Sequence, residues 1–203
     1  MVPVVADADT LFGATTRGLL IHLDYGGSIR LHWSQLILQE MSRALVDTGR
    51  KLDAKAARKH ENLMRSALPH AEISTSEIQA RFATVAPAMR SAKDIHVAAC
   101  AHAVLVGKYY PQTSVISLVT KNVRDFGVVK LADLGVVVQR PDAFLLDLLR
   151  ENQAEVMSAF AALRRTLRSA PTPEQLLHRL AADGQSQTAA ALHALWLEDI
   201  AEL

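Results

Sequence analysis

The sequence predicts an α/β fold, in which helices cover both faces of a central parallel sheet, followed by an all-helical C-terminal region. Short, valine-rich apolar runs alternate with helical patterns along the first two thirds of the chain, as is typical of parallel sheets. After Pro141 the apolar residues keep helical spacing only. The length of 203 residues suits one domain of ordinary size with a smaller appendage.

The N-terminal elements are marked by apolar runs and by the residues that end them. A valine-rich run is broken by Asp7, which predicts a short buried strand before it. Ser34 is suited to cap the helix that follows a second apolar run. The predicted order is a strand at 2–6, a helix at 11–23, a strand at 29–33 and a helix from 34 to 49.

The middle of the chain continues the alternation. A charged, alanine-rich stretch predicts an exposed helix at 50–66, and shorter patterns predict a helix at 76–82. A strongly apolar helix is predicted at 93–106, closed by Gly107. The run SVISLV predicts a buried strand at 114–119, and 135–138 predicts a short strand at the edge of the sheet.

The C-terminal region begins after the composition changes at Pro141. Its clearest signal is a capping box, in which Thr172 precedes Pro173 and Gln175 occupies the third helical position. Ser186 is suited to cap a last helix. We therefore predict an α/β domain at 1–140 and a helical extension at 141–203.

Composition excludes several classes of protein. The 22 Lys and Arg residues nearly balance the 21 Asp and Glu residues, which excludes a histone-like basic chain and an acidic disordered one. The single cysteine, Cys100, excludes an intramolecular disulfide and a multi-cysteine zinc site. No apolar run reaches the length of a membrane span, and the N-terminus lacks the pattern of a signal peptide. We expect a cytoplasmic protein.

Four acidic residues stand out by position. Asp7 and Asp125 follow predicted strands, where an aspartate is also a common turn former or helix cap. Glu40 and Asp94 fall on apolar helical stripes, although Asp94 also suits a first helical turn. We expect the Glu40 carboxylate to point inward, which is costly unless it is paired or bound to a metal.

Together the four carboxylates predict a cation site. Two carboxylates about 4 Å apart repel by roughly 4 kcal/mol at an effective dielectric constant near 20. A cluster of four therefore requires a cation or raised pKa values. Mg²⁺ and Mn²⁺ prefer such oxygen ligands, and they can activate water for phosphodiester hydrolysis.

At these positions the chain resembles PIN-domain ribonucleases of the VapC type. The resemblance covers residues 2–148 and is carried by VVADADTLF, HWSQLILQEMSRAL, KDIHVAACAHAV, LVTKNVRDF and RPDAFL. It implies a PIN-like α/β/α sandwich in which Asp7, Glu40, Asp94 and Asp125 hold Mg²⁺ or Mn²⁺ and direct water at RNA. It further implies a toxin silenced by a VapB-like antitoxin, with structured RNAs such as transfer RNA among the substrates. We also expect a homodimer, and we expect no association with a membrane.

Accessory positions follow from the same segments. The family usually has Asn or Ser where this chain has Asp9, so Asp9 is a candidate addition to the metal shell. Thr120 and Asn122 flank the site and could orient water or a carboxylate, or could be ordinary turn residues. The helical tail resembles the extension of a subset of these toxins.

Two other functions remain open on sequence alone. The run Asp7-Ala8-Asp9 after a strand also resembles the first motif of haloacid-dehalogenase phosphatases, although no acidic pair follows to complete that site. The third candidate is a PIN-like module that binds without cleaving. A basic helix face formed by residues 50–59 is a candidate phosphate contact, while His96 and Cys100 are expected to pack in the core.

Overall fold

A computed structural model describes residues 1–107 and 109–201, with side chains described as far as 197. Five parallel strands form its sheet: β1 (Val2–Ala6), β2 (Ile29–Ser34), β3 (Glu72–Ile73), β4 (Ile116–Val119) and β5 (Val136–Gln139). The helices are α1 (Ala8–Phe12), α2 (Ala14–Tyr25), α3 (Gln35–Asp47), α4 (Ala54–Ala67), α5 (Thr75–Gln79), α6 (Phe82–Val85), α7 (Ile95–Val106), α8 (Val128–Asp133), α9 (Pro141–Glu151), α10 (Gln153–Thr166), α11 (Pro173–Ala182) and α12 (Ser186–Ala201).

The strand order is β3-β2-β1-β4-β5, which confirms the predicted α/β fold class with a PIN-like arrangement. Val4 and Val5 of β1 pair with β2 on one side and β4 on the other, so β1 is the centre of the sheet. The predicted edge position of β5 is also confirmed. Because every strand runs the same way, the residues after β1 and β4 emerge at one edge.

Two compact units make up the chain. The first consists of Met1–Phe12 and Ile29–Arg140 and contains the whole sheet. The second consists of Gly13–Ser28 and the chain from Pro141 onward, and its described residues contain no strand. The predicted boundaries, 1–140 and 141–203, do not anticipate that residues 13–28 cluster with the C-terminal helices. The division into two domains stays a prediction.

In the first unit, local sequence signals determine where the helices begin. The Ser34 hydroxyl accepts a hydrogen bond of 3.1 Å from the amide of Ile37 and so caps α3, as predicted. The Asp53 carboxylate caps α4 in the same way through the amide of Ala56, at 2.7 Å. Trp33 on β2 is fully buried and belongs to the core of this unit.

The predicted helix at 11–23 is wrong as a single element. The helical pattern is interrupted at Gly13, whose backbone is extended. Helix α1 ends before this residue and helix α2 begins after it. The reason lies far along the chain: the Asp183 carboxylate accepts hydrogen bonds from the amides of Thr15, at 2.8 Å, and Thr16, at 2.9 Å. A Cβ atom at position 13 would lie 2.8 Å from that carboxylate, so a side chain there would displace the cap.

The second unit is held together by close helix packing and by a second cap. Helix α2 packs against α10 and α11, and a Cβ atom at Gly18 would lie 2.7 Å from Leu163. The capping box of Thr172 and Gln175 at the start of α11 is confirmed. The Asp142 carboxylate accepts a hydrogen bond from the amide of Thr188, at 2.9 Å, near the start of α12. No helix in the described residues is long and apolar enough to cross a membrane.

The Asp183 cap gives a stability prediction. Asp183→Ala leaves two amides at the start of α2 without their acceptor, so we expect the free energy of unfolding to fall by about 1–2 kcal/mol. Chemical denaturation checks this. The control is Asp147→Ala, because Asp147 is exposed and pairs only at the surface with Arg150; its effect should stay below about 0.5 kcal/mol. Equal stabilities of the two variants would contradict the role of the Asp183 cap.

Candidate active site

The candidate site lies where β1 and β4 end. Asp7 directly follows β1, and its amide donates a hydrogen bond of 3.0 Å to the Val119 carbonyl at the end of β4. Thr120 directly follows β4 and is fully buried. Adjacent parallel strands therefore deliver Asp7 and Thr120 to the same edge of the sheet, which is the ordinary place for a ligand site in such folds.

Asp7 is held on both of its carboxylate oxygens. Its Oδ1 accepts a hydrogen bond of 2.6 Å from the amide of Ala8, and its Oδ2 accepts one of 2.8 Å from the Thr120 hydroxyl. The residue is only 7% exposed. The orientation of this carboxylate is therefore fixed by the backbone of α1 and by the residue after β4.

Asp9 organises the loop after β4. Its Oδ2 accepts hydrogen bonds from the amides of Lys121, at 2.9 Å, and Asn122, at 3.1 Å. The Thr120 hydroxyl lies 3.2 Å from the same oxygen. Two backbone donors thus converge on Asp9, so its contacts here are those of a residue that positions a loop.

Asp125 and Asp94 meet beside this loop. Asp125 ends a short 3-10 turn, and the side-chain amide of Asn122 donates a hydrogen bond to its Oδ2. Asp94 occupies the position before α7 but does not cap that helix with its side chain. Its carboxyl group instead forms a hydrogen bond with Asp125.

Backbone pairing fixes the segment that carries Asp94. The Asp125 carbonyl accepts hydrogen bonds from the amides of Arg90, at 2.9 Å, and Ser91, at 3.1 Å. The amide of Gly127 donates one of 2.8 Å to the Ala88 carbonyl. A Cβ atom at Gly127 would lie 2.4 Å from that carbonyl oxygen, so only glycine permits this approach. These backbone contacts therefore fix the position of Asp125 relative to the segment that precedes Asp94.

The crowding of carboxylates changes their protonation. Burial, followed by the charge of Asp9, raises the pKa of Asp7 from 3.8 to about 7, against the opposing hydrogen bonds from Thr120 and Ala8. Burial and the neighbouring Asp125 raise the pKa of Asp94, and the charge of Asp94 contributes to the raised pKa of Asp7. These carboxyl groups therefore repel each other in the ionised state.

Glu40 departs from expectation. Its carboxylate was expected to point inward, but about a third of the side chain is exposed. The buried face of α3 is formed by its neighbours instead, Ile37, Leu38 and Met41 among them, and Glu40 lies at the border of that face. Its Oε2 lies 3.2 Å from Nε2 of His96, a buried residue on α7. His96 is buried, as predicted, but no sequence motif predicts its contact with Glu40.

The structure thus joins the predicted residues in pairs. Asp7, Asp9, Asp94 and Asp125 interact along one edge, while Glu40 is linked to them through His96. Among the described residues, no three His, Cys, Asp or Glu side chains are arranged to hold a metal ion. The donor chemistry nevertheless fits Mg²⁺ or Mn²⁺, because the donors are carboxylates and the raised pKa values of Asp7 and Asp94 mark a place where added positive charge is favourable.

Two other candidate features have clear positions. Cys100 is fully buried, and burial raises the pKa of its thiol, which disfavours the thiolate that zinc requires. The cations of the predicted basic face are divided: Lys55, Arg58 and Lys59 are exposed on α4, whereas Arg50 precedes that helix and stacks over the Phe12 ring at 4.2 Å. Phosphate contact by the exposed residues stays a prediction.

Comparison with known protein families gives a match in the C-terminal region. Residues 141–194 match the family model of the VapC50 C-terminal domain. This confirms the resemblance to VapC-type PIN toxins with a helical C-terminal extension. No curated protein and no solved structure matches the chain.

The raised pKa of Asp7 predicts how stability depends on pH. Without metal, the folded protein keeps the Asp7 proton at pH values where the unfolded chain has lost it. The free energy of unfolding should therefore fall as the pH rises from about 4 to about 7. Asp7→Asn removes this titration, so at about pH 8 in EDTA the variant should be more stable, by up to about 4 kcal/mol.

Denaturation of both proteins across this pH range measures the difference. Asp133→Asn is the matched control for the loss of one carboxylate, because Asp133 is an exposed aspartate at the end of α8. Parallel pH profiles for the unchanged protein and Asp7→Asn would show that the pKa of Asp7 is not raised in the folded protein.

Proposed function

With residues 141–194 matching the VapC50 C-terminal domain, we propose that this chain is a metal-dependent endoribonuclease, the toxin of a VapBC toxin–antitoxin pair. The observation that carries the proposal is the buried Asp7 carboxylate, whose pKa is raised beside Asp9 and Asp94 at the sheet edge. Holding these acidic groups together costs free energy when no counter-charge is present. A cation that binds between them would offset this cost.

The proposed roles follow from the contacts of each residue. Asp7, Glu40, Asp94 and Asp125 would hold Mg²⁺ or Mn²⁺, and a bound ion lowers the pKa of water and stabilises the leaving oxygen of a phosphodiester. Thr120 and Ala8 orient Asp7 through their hydrogen bonds. Asn122 orients Asp125 by donating to its carboxylate.

The domain organisation and the partners belong to the same proposal. We assign residues 1–140 to a PIN nuclease domain and 141–203 to the helical extension. Residues 13–28 contribute helix α2 to the compact unit that contains the extension, so the extension requires the N-terminal part of the chain to complete its packing. The partners are RNA, with transfer RNA as one candidate, and a VapB-like antitoxin, in the cytoplasm. A homodimer is compatible with this assignment.

The phosphatase alternative is less well supported. It requires Asp9 to act as a general acid, whereas Asp9 accepts hydrogen bonds from two backbone amides of the loop after β4. Both amides thus engage the carboxylate as an acceptor that holds the loop, which leaves the general-acid role without structural support. A binding module without catalysis is distinguished by the cleavage assay below.

The central prediction concerns the four carboxylates. Asp7→Asn, Glu40→Gln, Asp94→Asn and Asp125→Asn each remove one charge and preserve size. Each should lower the rate of RNA cleavage by about 100-fold or more, and the double variant Asp7→Asn/Asp94→Asn should lose little beyond either single change. Cleavage of purified RNA with Mg²⁺, Mn²⁺ or EDTA measures this.

The control uses two substitutions at one position. Asp9→Asn keeps an oxygen that can accept from the loop amides, so it should retain most activity. Asp9→Ala removes that acceptor and should impair both activity and stability. Cleavage in EDTA, or unchanged cleavage by the Asp7→Asn and Asp94→Asn variants, would contradict the proposed function.

The partner gives a further prediction. An antitoxin that silences this site should place an Arg or Lys among the carboxylates of Asp7, Asp94 and Asp125, because their excess negative charge favours a cation. Substitution of that basic residue by Ala should weaken inhibition strongly. A complex in which the antitoxin contacts only residues 150–203 while the acidic edge remains active would contradict this arrangement.

A further inference from the structure

We propose that a cavity between α3 and α4 binds an unpaired nucleotide of RNA, with Arg43 and Arg58 contacting its phosphate groups. The cavity has a volume of about 720 Å³, which lies within the range of about 300–1,000 Å³ that is usual for ligand sites. This inference rests on the proposed function, since it states where the RNA substrate is held. The family match covers residues 141–194, which include no residue of this cavity.

The cavity adjoins the edge of the sheet where the acidic residues lie. Helix α3 begins directly after β2, and the carboxyl ends of parallel strands meet at this edge. Gln35, the first residue of α3, lines the cavity. Arg43 also lines it and follows Glu40 by three residues, so their Cβ atoms are neighbours on the helix surface, about 5–6 Å apart. An RNA chain that is cleaved at the acidic edge therefore has this cavity within reach of its neighbouring nucleotides.

A network of ion pairs forms one side of the cavity. Nε of Arg65, on α4, donates a hydrogen bond of 2.6 Å to Glu72 of β3, and Nη1 donates one of 3.2 Å to Glu61. Glu61 is only 7% exposed, and all three residues line the cavity. Because two carboxylates share one guanidinium, this side of the cavity keeps acceptor oxygens for N–H groups of a ligand.

Two exposed arginines line the cavity from opposite helices, Arg43 from α3 and Arg58 from α4. Within the described part of the chain, neither side chain forms an ion pair or a hydrogen bond. Asp47 adds one carboxylate to the same lining, whereas Lys55 and Lys59 extend the positive charge along the exposed surface of α4. The unpaired charge around the cavity is therefore positive in sum, and planar guanidinium groups suit bidentate contacts with phosphate.

The remaining polar groups of the lining suit the edges of a nucleobase. The side-chain amides of Gln39, on α3, and Asn62, on α4, each offer a donor and an acceptor. Val46 and Ala57 add apolar surface between them. Proteins recognise unpaired RNA bases through hydrogen bonds to the base edges and contacts with the base faces. A lining that combines cations, amides and apolar surface therefore fits a nucleotide better than a simple anion.

Three substitutions separate this cavity from a general basic surface. Arg43→Gln and Arg58→Gln each remove one positive charge from the lining. The matched control is Lys59→Gln, because Lys59 follows Arg58 on the same helix and is exposed but does not line the cavity. All three side chains are exposed, so we expect the melting temperatures of the variants to stay close to that of the unchanged protein.

The experiment measures the binding of a fluorescein-labelled, single-stranded RNA of mixed sequence to the full-length protein by fluorescence anisotropy. All variants carry Asp7→Asn and are kept in EDTA, so that the RNA stays intact. At about 0.1 M salt, Arg43→Gln and Arg58→Gln should each weaken binding about 5-fold and lower the slope of log affinity against log salt by about 0.7, as expected for the loss of one phosphate contact. Lys59→Gln should change the affinity by less than about 2-fold.

A second probe separates a nucleotide from phosphate alone. Asn62→Leu removes an amide of the lining without changing the charge. It should weaken the binding of the RNA by about 3- to 10-fold, the effect of one hydrogen bond, and leave the binding of inorganic polyphosphate unchanged. Equal effects of Asn62→Leu on both probes would show that the cavity does not recognise a nucleotide.

The outcomes distinguish this inference from the proposed function. If Lys59→Gln weakens RNA binding as much as Arg58→Gln, or if neither arginine variant weakens it, the inference is wrong. The proposed function then still stands if the unchanged protein cleaves RNA and Asp94→Asn does not. If the arginine variants bind RNA normally but are no longer inhibited by the antitoxin, the cavity binds the antitoxin and the inference is again wrong. If RNA binds through Arg43 and Arg58 but is not cleaved by the unchanged protein, the proposed function falls and the RNA-binding cavity stands.

Discussion

The repulsion between carboxylates at the end of β1 and β4 is the constraint on which the rest of the site depends. Asp7 is buried at that edge, and this burial, together with the charges of Asp9 and Asp94, raises its pKa to about 7. Ionised carboxylates so placed cost several kcal/mol without a counter-charge. The sheet and the adjoining loops must therefore hold these groups against their own repulsion, and a divalent cation offers the simplest relief.

The fold meets this constraint by fixing backbone on both sides of the acidic edge. Two loop amides bind Asp9 after β4, and the carbonyl of Asp125 binds the segment that leads to Asp94. Thr120 reaches Asp7 from the neighbouring strand. A site organised in this way is prepared before any ligand arrives, because its carboxylates need little further ordering.

Sequence patterns predict the parts of this fold that local chemistry determines. The strand Val2–Ala6, the Ser34 cap and the capping box at Thr172 depend on residues within a few positions of each other. The break at Gly13 could not be predicted, because the carboxylate that caps the next helix belongs to Asp183, 170 residues further along the chain. Strand β3 has only two residues and is defined by its pairing with β2 rather than by an apolar run.

The residues of the candidate site also differ in how far the sequence predicts them. The positions of Asp7 and Asp125 after strands follow from topology alone, and the segment KDIHVAACAHAV, which contains Asp94, is recognisable in sequence. The contact between Glu40 and His96 depends on how α3 packs near α7, so periodicity correctly places both residues on helices but misjudges the exposure of Glu40. Tertiary contacts of this kind are what a helical pattern leaves undetermined.

The most direct test of the central claim is a crystal structure of the unchanged protein grown with Mn²⁺ and measured for anomalous scattering. The account predicts an anomalous peak at bonding distance from carboxylate oxygens of Asp7 and Asp94, with Asp125 turned toward the same ion. A crystal grown with saturating Mn²⁺ that shows no peak at this edge, and in which Asp7 is hydrogen-bonded only to Ala8 and Thr120, would contradict it.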